Sequence, residues 1–130
     1  MPSDAHTAVH DLHTDLATWL GTAAPDAVFD RFAAAQHPLF TMVTISGETL
    51  ARDALLTGLR GAGNTRPGLR ITISDITDLV RDTGTAVLRF LETHHYEGVS
   101  TQRWVTAVLV ADAEHRWLWR SVHETPAATR

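Results

Sequence analysis

The sequence predicts an α+β fold: a curved antiparallel sheet wrapped as a cone around N-terminal helices, in the order helix, helix, strand, helix, then a four-strand meander. Three observations predict it. Apolar residues recur at helical spacing in the first part of the chain. Long segments rich in β-branched residues fill the second half. The first of those segments reverses the parity of its apolar positions part-way along, as a bent strand does.

From Asp4 to Gly21, residues Ala5, Val9, Leu12, Leu16, Trp19 and Leu20 form one helical face, which Ser3 or Asp4 can cap and Gly21 can end. A shorter helix follows Pro25-Asp26, with Val28, Phe29, Phe32 and Ala33 on one side. His37-Pro38 stops it, because a residue before proline is pushed out of the helical region. Leu39 to Ser46 reads as a strand, and Gly47-Glu48-Thr49 leads into a helix carrying Leu50, Ala54, Leu55 and Leu59. Arg60 to Arg70, with Gly61, Gly63, Pro67 and Gly68, reads as a solvated loop. It runs from helix to strand and lacks the Gly-Lys-Ser/Thr ending of a phosphate loop.

Four strands follow: Leu69 to Arg81, Thr85 to Glu97, Ser100 to Ala111 and His115 to Thr125. In the first, Leu69, Ile71 and Ile73 give way to Ile76 and Val80, so a bulge is expected near Ser74-Asp75. A sheet bent there, with helices on its concave side, makes the cone. Residues 1–125 form one domain, and 126–130 are expected to be a frayed tail.

A chain of 130 residues can bury roughly 65–70% of its unfolded surface without covalent staples. With no cysteine, thiolate metal sites, thiol nucleophiles and disulfides are excluded. Net charge is −4 and all eleven basic residues are arginine, so no nucleic-acid partner is expected. No apolar stretch approaches 18 residues, and the N-terminus lacks a basic region followed by an apolar run. The expectation is a cytoplasmic protein with no membrane contact.

His94 and His95 are adjacent, but strand pleating sends them to opposite faces. One face carries Ala86, Leu88, Phe90, Glu92, His94 and Tyr96, apolar at one end and polar at the other. With Gly98-Val99 as the centre of a two-residue hairpin, Glu92 opposes Val105 and His94 opposes Arg103. A turn at Ala111 to Glu114 then sets Arg103 opposite His123 and Ala107 opposite Trp119. Leu88, Phe90, Ala107, Leu109, Trp117 and Trp119 become an apolar floor, beyond which Glu92, His94, Tyr96, Arg103 and His123 converge.

Two readings fit this gradient. In the first it is a small-molecule pocket, where Phe90, Trp119, Tyr96, Arg103 and His123 bind an apolar organic ligand and Glu92 and His94 are the catalytic acid/base groups. His94 is then the better proton shuttle near neutral pH, and Arg103 with His123 holds a developing oxyanion. In the second, Glu92 and His123 simply pair the Arg103 guanidinium. Glu92, His94 and His123 resemble a metal ligand set, but Arg103 among them would repel a cation, so neither metal nor cofactor is expected. His6, His10 and His13 lie along one side of the first helix and read as a solvated face. On the outer sheet face, Leu91, Trp104, Val108, Leu118 and Val122 form a patch rimmed by Arg89, Arg120, His95 and Glu124. A second copy of the chain is expected to cover it.

The chain resembles the nuclear transport factor 2-like superfamily, the SnoaL-like and ketosteroid-isomerase-like cone of cystatin-like architecture. The likeness rests on the element order, Phe40 and Gly47 around the first strand, Glu92 in Arg89-Phe90-Leu91-Glu92, the run Arg103 to Leu109, and the ending Trp119-Arg120-Ser121-Val122-His123-Glu124-Thr125. It implies a hydrophobic cavity between sheet and helices, dimerisation through the outer sheet face, and cavity polar groups whose identity varies with the task. Enzymes of the superfamily use a cavity aspartate, glutamate or histidine as general acid/base; other members bind ligands or assemble partners. The isomerase's aspartate-tyrosine-aspartate arrangement is not found in this sequence.

Overall fold

The structure is a computed structural model, and it describes residues 4–128. Helix α1 (Ala5–Gly21) is capped by Asp4, whose carboxylate accepts from His6 N–H at 3.0 Å; the alternative cap, Ser3, lies outside the described residues. Its C-terminal carbonyls are satisfied by the arginine-rich loop: Asn64, Arg66 and Gly68 N–H donate to Trp19, Leu20 and Gly21 O at 2.9–3.0 Å. A helix end needs such partners for its unpaired carbonyls, so this loop has a structural task. Helix α2 (Asp26–Ala34) and strand β1 (Gln36–Val43) follow. A three-residue strand, β2 (Thr49–Ala51), precedes α3 (Arg52–Arg60), so Leu50 is in a strand where a helix was expected.

The remaining strands are β3 (Arg70–Arg81), β4 (Thr85–Tyr96), β5 (Val99–Ala111) and β6 (Trp117–Pro126). Pairing runs past the expected boundary at 125, since Pro126 belongs to β6 and Ala127 N–H donates to Gln102 O. The bulge expected in β3 is present: the register shifts between Ser74 and Thr77, and Asp75 has φ +54°. Ile71, Ile73 and Ile76 are all half-buried as the parity change requires.

The curved antiparallel cone does not form. The sheet has six strands in the order β2-β1-β6-β5-β4-β3, and it is neither closed nor strongly curled. It is also mixed, because β1 runs parallel to β6. The meander supplies only antiparallel neighbours. The first strand instead docks on the free edge of β6 and takes β2 as its own antiparallel partner. Its pairing is interrupted between Gln36 and Thr41, around Pro38, which has no N–H to give a ladder.

Both hairpin registers also differ from expectation. Glu97 and Gly98 are the turn residues of β4–β5, with φ +52° and +76°, the left-handed pair that matches strand twist. Glu92 therefore faces Arg103 directly. Between β5 and β6, Asp112 gathers the turn by accepting from Glu114 and Arg116 N–H. The register then slips between Val108 and Leu109, so that Leu109 faces Trp119 but Val108 faces Ser121. One extra residue, Arg120, is absorbed in β6. Everything after it changes face.

The core lies between the sheet and α1 and α2. Leu88, Phe90, Ala107, Leu109, Trp117 and Trp119 are all buried there, as the floor expected from the sequence, against Ala5, Val9, Leu12 and Phe32.

Candidate functional site

Beyond that floor a cavity of about 180 Å³ opens between the helices and the inner face of β1, β4, β5 and β6. Helix α1 lines it with Leu12, His13, Leu16 and Leu20, and α3 with Leu55 and Leu59. Phe32 of α2, Phe40 and Met42 of β1, Val105 of β5, and Trp119 and Val122 of β6 complete the apolar wall. The polar lining is Gln36, Glu92, His94, Arg103 and Glu124, together with His13.

Glu92 is the centre of the polar end. Only 4% of it is exposed, and each carboxylate oxygen meets a different histidine: Oε1 is 3.0 Å from His13 Nε2, and Oε2 is 2.5 Å from His94 Nε2. His13 is 5% exposed, and its Nδ1 lies 2.7 Å from Val9 O. A carbonyl can only accept, so Nδ1 carries a proton. With Nε2 directed at a carboxylate, the His13 ring is held as an imidazolium. Phe90 and Trp119 meet that ring edge-on at 5.4 and 5.8 Å.

Electrostatics agree with this assignment. Burial works against charge on His13, but the hydrogen bond and charge of Glu92, helped by Val9 O, outweigh it and raise its pKa above the ordinary imidazole value. Burial likewise pushes Glu92 up. Hydrogen bonds and charge from His13 and His94 prevail and hold the carboxyl well below the usual carboxylate range.

The second polar pair is looser. Arg103 Nη1 stands 3.6 Å from Glu124 Oε2, outside good hydrogen-bond distance. Burial first, and the Glu92 carboxylate second, raise the Glu124 pKa, with Arg103 offsetting part of the rise. Among the described residues, the buried side-chain polar atoms left without a hydrogen-bond partner are His94 Nδ1 and Arg103 Nε. Both residues line the cavity.

Of the residues singled out in the sequence, the structure brings together Glu92, His94, Arg103 and Trp119. Phe90 is fully buried beneath them as support for His13. Tyr96 does not line the cavity; its ring lies 5.7 Å from the Arg66 guanidinium near the end of β4. His123 is corrected outright: the bulge at Arg120 turns it to the exposed outer face beside Thr106, and Val122 and Glu124 point inward in its place. Val122 and Glu124 are thereby removed from the outer patch and its rim. His13 was missed, although it falls one turn after Val9 and one turn before Leu16, inside the apolar stripe rather than beside it. Among the described residues no three His, Asp or Glu side chains are grouped as a metal ion would need, and no helix is long and apolar enough to cross a membrane.

No family model matches the chain, and no curated protein matches it at a significant level. Solved structures do. An NTF-2-like protein of unknown function from Pseudomonas aeruginosa shares 31% identity over 95% of this chain and 98% of its own, with a TM-score of 0.90. The chain belongs to the nuclear transport factor 2-like family. More distant members share its fold alone. A candidate dehydratase of the family from Streptomyces avermitilis is 14% identical over 96% of this chain and 94% of its own, with a TM-score of 0.75. A candidate scytalone dehydratase from Novosphingobium aromaticivorans is 16% identical over 97% and 87%, with a TM-score of 0.71.

Proposed function

We propose that the cavity is a cofactor-free acid/base site, of the SnoaL-like kind, that abstracts a proton next to a carbonyl in a small organic molecule. One observation carries the reading: the two unpartnered buried atoms at the polar end are a ring nitrogen and a guanidinium N–H. His94 Nε2–H donates to Glu92, and in the neutral ring Nδ1 is then a bare lone pair, the base. Arg103 Nε–H is a donor for the oxygen on which negative charge develops. Burial of a polar atom without a partner costs about 1–3 kcal/mol, so each of the two is a place where the fold lacks a hydrogen bond.

In this scheme Glu92 is a positioning residue and not itself the base. Both its oxygens are engaged, and His13 holds it ionised and oriented. The proton taken from carbon resides on His94 Nδ1 while Arg103 holds the enolate oxygen. Return of that proton to a different carbon completes an isomerisation. Loss of a β-hydroxyl as water, protonated by the His94 imidazolium formed in the first step, completes a dehydration. The candidate dehydratases that share the fold support the second outcome.

Deuteration of cyclohexanone in D₂O, followed by NMR, tests the reading without the natural substrate. The wild-type chain is expected to exceed His94→Gln by about 10²-fold, the lower end for a positioned base. Equal rates would overturn the assignment. A rival reading, a structural tie between α1 and β4, draws on the engagement of both His13 nitrogens; it predicts no exchange above background.

We also infer that the outer sheet face pairs with a second copy. Leu91, Val108 and Leu118 remain half-buried there and Trp104 is 37% exposed, an apolar patch that a second copy would cover. Light scattering coupled to size exclusion checks it, and a strict monomer at micromolar concentration removes the inference.

A further inference from the structure

We propose that the ligand is a neutral carbonyl compound of single-ring size, with its oxygen on Arg103 and its hydrocarbon body against Trp119 and the α1 leucines. The proposal rests on the proton-transfer reading for its orientation, while its size and charge limits come from the cavity alone.

Size follows from volume. The cavity holds about 180 Å³. Pockets for drug-sized ligands occupy roughly 300–1,000 Å³, whereas an apolar cavity of about 150 Å³ holds benzene. A steroid or a fused polycycle cannot be enclosed in that space, and one six-membered ring with a short substituent can. The wall cannot widen cheaply, because Trp119 is 2% exposed, its backbone N–H donates to Ala35 O at 2.8 Å, and its ring abuts His13 and Phe90.

Charge follows from the polar end. His13 already balances Glu92, and Arg103 faces Glu124. An anionic ligand on Arg103 would be a second negative charge, beside Glu124, on one guanidinium. A cationic ligand would meet Arg103 and the His13 imidazolium. A carbonyl oxygen asks only for a donor and no counter-charge, which the Arg103 guanidinium lining the cavity supplies.

The test is an amide and indole NMR titration of the full chain with acetophenone, benzoate and 2-acetonaphthone, read at the Trp119 indole N–H. Acetophenone is expected to bind at least tenfold more tightly than either of the others. Leu16→Ala, or Leu59→Ala should the first variant fail to fold, is expected to improve 2-acetonaphthone at least tenfold by extending the cavity. Benzoate equal to acetophenone would overturn the charge limit. A two-ring ketone bound equally well by the wild-type chain, or still excluded by both enlarged variants, would overturn the size limit. No shift with any probe would overturn the whole proposal. The titration reads occupancy and not turnover, so a cavity that binds acetophenone but exchanges no cyclohexanone deuterium sinks the catalytic reading and leaves this one standing.

Discussion

The two ion pairs at the polar end of the cavity share one address and differ in construction. His13 and Glu92 are 5% and 4% exposed, in direct contact at 3.0 Å, with the second oxygen and the second imidazole nitrogen also taken. Arg103 and Glu124 are separated by 3.6 Å, and Arg103 keeps a buried N–H idle. A buried charge is tolerable only when it is paired and hydrogen-bonded. The first pair is therefore part of the frame, and the second is free to serve a ligand.

Breaking the frame is expected to have the largest effect. Glu92→Gln leaves the His13 imidazolium without its counter-charge and should cost about 3–5 kcal/mol in urea unfolding, the usual loss when one partner of a buried pair is removed. A loss below 1 kcal/mol would mean that the pair is not built as described. Next comes pH. The raised His13 pKa contributes stability that is complete below its unfolded value of 6.5 and disappears as pH rises through the folded value. The lowered Glu92 pKa contributes stability that is complete above 4.5 and disappears as pH falls through its folded value. Both are present together between those two unfolded values. Tm should fall as pH is raised from 6 to 9, and His13→Gln should flatten that slope.

The looser pair should respond differently. Arg103→Met keeps the stem and is expected to cost about 1 kcal/mol or less, in line with weakly coupled ion pairs. Ketone binding should nevertheless be lost in the same titration. Smallest of all, His123→Ala on the exposed face is expected to change stability by no more than about 0.5 kcal/mol and to leave ligand binding unaltered. A large effect there would return His123 to the cavity and contradict the register of β6.

That register shows how far the sequence could be read. Strand β4 pairs with β5 over its twelve residues without a register shift, so the face shared by Leu88, Phe90, Glu92 and His94 was legible from pleating alone. Strand β6 breaks alternation at Arg120. The mark is visible in hindsight: Trp117, Trp119, then Val122 reverses parity just as Ile71, Ile73, then Ile76 does in β3. The same signature marks a bulge in both strands, and in β6 it puts Glu124 rather than His123 on the inner face.

Other misses came from long-range pairing. The parallel contact of β1 with β6 joins segments about 80 residues apart and leaves no local pattern. Three-residue β2 is too short to show a period. His13 was hidden by its chemistry, since a histidine in an apolar stripe reads as the edge of a solvated face until the carboxylate opposite it is known. The antiparallel cone was an overextension of a correctly located bulge.

The central claim is the proton arrangement around Glu92, and long-range ¹H–¹⁵N correlation of the histidine rings at pH 6 reads it directly. His13 is expected to be protonated on both nitrogens, and His94 to carry a proton on Nε2, the nitrogen turned to Glu92. A His13 ring with a single proton, or a His94 ring whose proton sits on Nδ1, would contradict it.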